Sequence, residues 1–279
     1  MRIDQLREYG RKRLKGVSLS AALDSDLLLG LASGFHREYL LTHPEHCIAS
    51  EQRELFFHFL TRRCAGEPLA YIRREQEFFG RPFFVSPSVL VPRPETELLV
   101  ELVLKEAKQR SFPPRILDGG TGSGCIAVSL AQEIECELVV AVEKFEDALA
   151  IASLNARRLS PNRNISFIQG NWLDAFGEES FDIIVSNPPY VSRSEDFGRE
   201  ILAEPHHALF ASGEGLSDIQ VLISSTYKRL ANGGVFFCEM GCGQREAIEA
   251  ELCQSSFCQW YFHQDLSNRD RVFQAVRGN

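Results

Sequence analysis

An excess of basic residues is missing from this chain: 30 Lys and Arg stand against 38 Asp and Glu, a net charge of −8. Nucleic-acid surfaces carry basic stripes, so this balance weighs against a DNA or RNA substrate. No apolar run approaches the ~20 residues of a membrane span, and Met1-Arg2-Ile3-Asp4 lacks the apolar core of a secretory signal. A cytoplasmic protein without a membrane partner is expected. Tight cysteine pairs are absent too. Cys47, Cys64, Cys125 and Cys136 stand alone, while Cys238 with Cys242 and Cys253 with Cys258 are spaced more loosely than zinc-ribbon pairs. Reduced, mostly buried thiols are expected, and no metal. Internal repeats and low-complexity segments are also lacking. The hydrophobic share is 44%, enough to bury a sizeable core in one large domain or two ordinary ones.

The chain changes character twice. Residues 1–73 read as a small helical bundle. Ile3, Leu6, Tyr9 and Leu14 recur at helical spacing; Ser20 is placed to cap a helix carrying Leu23, Leu27 and Leu28, with Gly34 as its stop. A further amphipathic helix begins at Ser50 and closes at Gly66. Residues 74–93 read as a β-hairpin linker, with Phe78-Phe79 and Phe83-Phe84-Val85 flanking Gly80-Arg81-Pro82. In residues 94–279 strands and helices alternate, which predicts an α/β, doubly wound sheet. The expected strands are at Ile116-Leu117, Leu138–Val142, Ile165–Ile168, Phe181–Val185, Val235–Cys238, Gln259–His263 and Val272–Val276, with a helix ending at Asn232-Gly233-Gly234 before the fifth.

Two stretches carry chemistry. Asp118-Gly119-Gly120-Thr121-Gly122-Ser123-Gly124 joins the first strand to its helix, where glycines let backbone approach a ligand at a helix N-terminus. The spacing is neither the dinucleotide fingerprint nor a phosphate loop. A carboxylate opening the loop, Asp118, would repel pyrophosphate but suit a ligand bearing an ammonium and a sulfonium. Glu143 ends the second strand, where an acidic side chain reaches ribose hydroxyls in such folds, and Trp172 follows the third, placed to lie against a flat ring. The second stretch is Asn187-Pro188-Pro189-Tyr190. Two prolines force the chain out of the sheet in an extended shape, presenting an amide, carbonyls and an aromatic ring at a strand's carboxyl end. Two acceptors and a flat surface are what a substrate NH2 group requires. Read alone, the same tetrapeptide also reads, with less weight, as a rigid loop.

The loop, the acidic strand end and the Asn-Pro-Pro-Tyr turn together resemble class I S-adenosylmethionine-dependent methyltransferases with a Rossmann-like sheet that act on planar NH2 nitrogens. The likeness narrows to the protein-glutamine N5-methyltransferases of the HemK/PrmC type, which modify class I peptide chain release factors. It is carried further by Pro68–Ile72, Phe78-Phe79-Gly80, Val91-Pro92-Arg93-Pro94-Glu95-Thr96-Glu97, Glu204-Pro205 with Ala208-Leu209-Phe210, and Arg269-Asp270-Arg271. The resemblance implies S-adenosyl-L-methionine as cofactor, held by Asp118, Gly120, Thr121, Gly122, Ser123, Gly124, Glu143, Asn171, Trp172 and Asn187, and a substrate glutamine held by Asn187, Pro188, Pro189 and Tyr190. The N-terminal bundle is most simply a partner-docking unit, because the methyltransferase half does not need it to bind cofactor; a monomer is expected. Gly119 departs from the family pattern, where an apolar residue is usual, as do Glu143 and Asn171 at positions that are commonly Asp, and His206-His207. Two other readings stand beside this one: an adenine-N6 or other nucleic-acid amino methyltransferase, and a non-catalytic cofactor-binding module.

Overall fold

A computed structural model describes residues 1–192 and 198–278. The chain divides into two compact units: Met1–Glu75 with the short helix Arg199–Leu202, and the remaining described residues from Gln76 onward.

The first unit packs helices Ile3–Leu14, Ala21–Ser33, Arg37–Thr42, Ser50–Cys64 and Leu69–Arg73 around Ile3, Leu6, Leu28, Leu29, Leu40, Phe56 and Leu60. Gly10 lets two of them touch, since a Cβ there would lie 2.2 Å from the Ser25 hydroxyl. Gly34 ends the second helix in left-handed conformation, as the sequence predicts. The inward face of that helix differs from expectation. Leu23 is exposed, and Asp24 is buried instead, because Arg63 donates to it at 2.9 Å with both side chains out of water. Ser20 bonds the Asp24 carboxylate at 2.8 Å instead of capping the backbone.

The second unit begins inside the hairpin of β1 (Glu75–Phe78) and β2 (Arg81–Phe84), whose Phe78 and Phe83 are fully buried in that unit's own core. Asn155 binds both the amide and the carbonyl of Phe84, so the hairpin is fastened to the sheet's helical layer. The sheet comprises β3 (Arg115–Gly119), β4 (Leu138–Glu143), β5 (Ile165–Gln169), β6 (Phe181–Ser186), β7 (Leu230–Glu239), β8 (Gln259–Gln264) and β9 (Asp270–Val276), in the order β5-β4-β3-β6-β7-β9-β8. The first five pair in parallel; β9 runs antiparallel to β7 and β8.

Alternate residues of each central strand feed opposite layers, as a two-residue period requires. Ile116, Ala141, Ile183 and Val185 pack with Leu99, Val103 and Ile126 on one face; Leu117, Val140, Val142 and Ile184 pack with Ile219, Leu222 and Ile248 on the other. Burial on both faces explains why Phe181–Val185 is apolar except at Asp182, which accepts from the Arg115 amide at 2.8 Å. Each such side chain contributes on the order of 1.5–3 kcal/mol.

Sequence expectation fails at Asn232-Gly233-Gly234. The helix stops at Arg229 and these residues lie in β7, where the step Phe181 to Ile183 on β6 spans Leu230 to Val235. Gly233, at φ +69°, supplies the bulge that absorbs the surplus. The helix Arg245–Gln254, which covers the second face through Ile248 and Leu252, has too weak an apolar period to be read in advance. Among the described residues no helix is long and apolar enough to cross a membrane.

Candidate active site

Strand order places the site. From β3 the chain moves outward through β4 and β5, then returns to the other side of β3 as β6, so the crevice between the carboxyl ends of β3 and β6 is the topological switch point. Gly119 and Ser186 are register partners there, and the Ser186 hydroxyl donates to the Gly119 carbonyl at 2.7 Å. The glycine loop and the Asn-Pro-Pro-Tyr turn therefore leave the sheet side by side.

The loop is built from backbone. The Gly120 and Thr121 amides both donate to the Val142 carbonyl at 2.9 Å, and Gly120, Gly122 and Gly124 have φ of +74°, +55° and +80°. A Cβ on Gly120 would sit 2.9 Å from the Trp172 ring, and one on Gly124 3.1 Å from Ala152. Asp118 stands behind this loop. It is fully buried, its Oδ2 accepts from the Thr121 hydroxyl at 2.6 Å and the Ala127 amide at 3.2 Å, and it does not line the cavity in front. The expectation of a carboxylate facing the ligand is corrected accordingly: the strand's last inward position turns this side chain toward the following helix. Among the described residues its Oδ1 has no hydrogen-bond partner, and burial pushes its pKa up to about 7.

Unlike Asp118, Glu143 does line the cavity. Its Oε2 accepts from the Gly122 amide at 3.0 Å and its Oε1 from the Lys144 and Phe145 amides at 2.8 and 3.1 Å, so its position is fixed while lone pairs remain for a hydroxyl donor. Trp172, in left-handed backbone conformation at φ +50°, closes one wall over Gly120. Asn171 also lines the cavity, its Nδ2 donating to Asp174 at 3.4 Å. The far wall is a pair that sequence reasoning left unassigned: the rings of Phe145 and His207 lie 3.7 Å apart and both face the cavity. Burial lowers the His207 pKa, which keeps the ring neutral.

Asn187 and Pro189 complete the lining; Pro188 is buried beneath them. The Asn187 Nδ2 donates to Thr96 Oγ1 at 3.1 Å, which leaves the amide's carbonyl oxygen as the end for a ligand. Tyr190 departs from its expected place beside a substrate amide. It does not line the cavity; its hydroxyl donates to buried Glu239 at 2.8 Å, and burial holds its pKa well above the usual phenol range. Gln244 grips the other end of the turn, donating to the Tyr190 carbonyl at 3.0 Å.

The proline-arginine-proline segment contributes Pro92 and Arg93 to the lining. Glu204 accepts from the Val91 amide at 2.9 Å and pairs with Arg93, whose side chain lines the cavity; Glu95 is exposed. Glu239 and Gln244 are invisible in sequence, being single polar residues in apolar or turn contexts. Thr96 alone had a signal, its place inside Pro92–Glu97.

The cavity is lined by glycine backbone, the fixed Glu143 carboxylate, two aromatic walls and the amides of Asn171 and Asn187. That donor set fits a cofactor carrying a nucleoside and an amino-acid tail. Two family models match: the PrmC N-terminal domain over residues 5–73 and the methyltransferase small domain over residues 94–235. The release factor glutamine methyltransferase of Salmonella typhimurium is 37% identical over 252 residues, 89% of this chain and 90% of that protein. That of Koribacter versatilis is 42% identical over 226 residues, 80% of each. A methyltransferase structure from Pyrococcus furiosus shares the fold, with a TM-score of 0.55 at 19% identity, covering 72% of this chain and 91% of that one. With relatives this similar along most of its length, the chain belongs to the release factor glutamine methyltransferase family.

Proposed function

We propose that this protein transfers a methyl group from S-adenosyl-L-methionine to the side-chain amide nitrogen (N5) of the glutamine in the Gly-Gly-Gln loop of class I peptide chain release factors. The observation that carries the reading is the amide of Asn187, which lines the cavity with its Nδ2 anchored on Thr96, beside a glycine loop with a fixed carboxylate.

The cofactor, when bound, supplies a methyl carbon made electrophilic by a sulfonium. Gly120–Ser123, Glu143, Asn171 and Trp172 would hold it, with Glu143 accepting from a diol and Trp172 lying against a flat ring. Asp118 and Gly124 serve from behind, by shaping the loop. A carboxamide nitrogen is a poor nucleophile because its lone pair is delocalised. The Asn187 oxygen and the Pro188 backbone carbonyl, to which no amide among the described residues donates, would accept its two N–H bonds. That orients the lone pair and stabilises positive charge growing on nitrogen. No base need act early, since the proton becomes acidic only as the methyl arrives.

The division of labour follows the sequence: residues 1–73 dock the release factor, 74–93 connect, and 94–279 carry the chemistry. Family models centred on the first and last segments support this. The acidic balance supports a protein substrate over nucleic acid, and the reading takes the enzyme as a cytoplasmic monomer. The test is mass spectrometry of a release factor after incubation with enzyme and cofactor. One methyl on the Gly-Gly-Gln peptide supports the reading; an unmodified peptide overturns it.

A further inference from the structure

The groups assigned to the cofactor above carry no positive charge, yet its amino-acid tail ends in a carboxylate. A carboxylate taken into a cavity needs a charged partner, because burying it unpaired costs far more than losing one hydrogen bond. The acids of this lining, Glu143 and Asp218, would repel it. Among the described residues only Arg93 and Lys144 bring cations to the lining, the His207 ring being neutral.

The two cations serve different ends of the site. Lys144 follows directly on Glu143, the acceptor for the ribose diol, and its Nζ lies 5.9 Å from the centre of the Phe145 ring. Arg93 belongs instead to the turn that holds Asn187. Its backbone carbonyl accepts from the Thr96 amide at 3.1 Å, and the Thr96 hydroxyl accepts from Asn187 Nδ2 at 3.1 Å. In the cofactor the sulfonium stands between the ribose and the amino-acid tail. With the ribose at Glu143 and the methyl group at Asn187, Lys144 is placed for the nucleoside and Arg93 for the tail.

Arg93 is also held in place. Glu204, 4% exposed, accepts from the Val91 amide at 2.9 Å with one oxygen and takes the Arg93 guanidinium with the other. The Arg93 side chain nevertheless keeps 35% of its surface open. A guanidinium carries five N–H donors in a planar fork, and among the described residues Arg93 makes no other side-chain hydrogen bond. Donors therefore remain for a second carboxylate.

Resting on the reading of this cavity as the S-adenosyl-L-methionine site, we infer that Arg93 is a cofactor-binding residue: its guanidinium, steadied by Glu204, pairs with the carboxylate of the methionine tail. Glu204 keeps the long side chain from sampling solvent, so less entropy is lost when the tail arrives.

The experiment is calorimetric titration of the full-length protein with S-adenosyl-L-methionine and with its decarboxylated form, which keeps the purine, ribose, sulfonium and ammonium. Wild type should bind the decarboxylated form about 10- to 100-fold more weakly, the scale of a charge-assisted pair. Arg93→Met keeps an apolar stem and removes the charge. It should weaken S-adenosyl-L-methionine by a similar factor and leave the decarboxylated form within about twofold, which also shows that the variant is folded. Equal weakening of both ligands would make Arg93 a residue that only shapes the cavity, and overturns the inference. Unchanged affinity for S-adenosyl-L-methionine overturns it too; with a raised KM for a release factor, that result assigns Arg93 to the protein substrate. Should Arg93→Met not fold, Arg93→Gln, polar and uncharged, takes its place with the same expectations. Equal affinities of wild type for the two ligands refute the pairing without any variant. A wild type that binds neither ligand sinks the cofactor reading itself. One that discriminates them but leaves the Gly-Gly-Gln peptide unmodified sinks only the glutamine reading, so the failures stay apart.

Discussion

Asn187 Nδ2 lies 3.1 Å from Thr96 Oγ1, joining the turn after β6 to the first turn of the segment that precedes the sheet. The amide so held is used for the substrate, while the cofactor rests on the loop after β3. Removing it should separate the two.

Asn187→Ala is expected to keep S-adenosyl-L-methionine affinity within a few fold and to lower kcat by about 10²–10³, the scale for loss of one transition-state acceptor or donor. Calorimetric titration and single-turnover methyl transfer measure the two quantities. Equal loss in both would make Asn187 a structural residue.

Neighbouring glycines should respond oppositely to one methyl group. Gly119 has ordinary β conformation and its nearest would-be contact is Leu117 at 3.6 Å, so Gly119→Ala should be tolerated or stabilise by about 0.4–1 kcal/mol. Gly120 has φ +74° and would press on Trp172 at 2.9 Å, so Gly120→Ala should destabilise by more than that and weaken cofactor binding. Denaturant titrations of the pair decide; equal midpoints would contradict the described loop.

Asp118 carries a pH signature. Its pKa rises from 3.8 to about 7 on folding because burial disfavours its charge. Across that window the folded chain holds a proton the unfolded chain has released, so stability is fully present below the unfolded value and is lost as pH rises through the folded one. A shift of about three units, at ~1.4 kcal/mol each, sets a ceiling of ~4 kcal/mol. Asp118→Asn, with no charge to release, should melt with a flatter pH dependence between pH ~4 and ~7. Parallel curves for the two proteins would refute the shift.

The Phe145 and His207 rings form a wall 3.7 Å apart at centroids. His207→Ala should weaken cofactor binding by about 3- to 10-fold, the worth of one aromatic pair, with kcat at saturation little altered. Unchanged Kd would place the pair outside the cofactor's reach.

What was legible beforehand was whatever rests on period and punctuation. The apolar run of β6, the glycine loop and the double proline announce themselves because each is a local constraint on backbone. What escaped depends on distant partners. Asp118 was read as facing a ligand because a sequence shows a carboxylate but not its direction, and the bonds to Thr121 and Ala127 turn it away. Tyr190 was expected beside the substrate, yet its hydroxyl is claimed by Glu239, some fifty residues on. The β7 bulge hid behind Asn232-Gly233-Gly234, a motif that serves a helix end and a bulged strand equally well.

The most direct measurement incubates the purified enzyme and methyl-labelled S-adenosyl-L-methionine with a class I release factor, with its Gly-Gly-Gln variant carrying Gln→Ala, and with duplex DNA. Label in the release factor alone, lost in the variant, is the predicted result. Label in the variant, in DNA, or in neither protein would contradict the assignment of the Asn187 turn to a glutamine side chain.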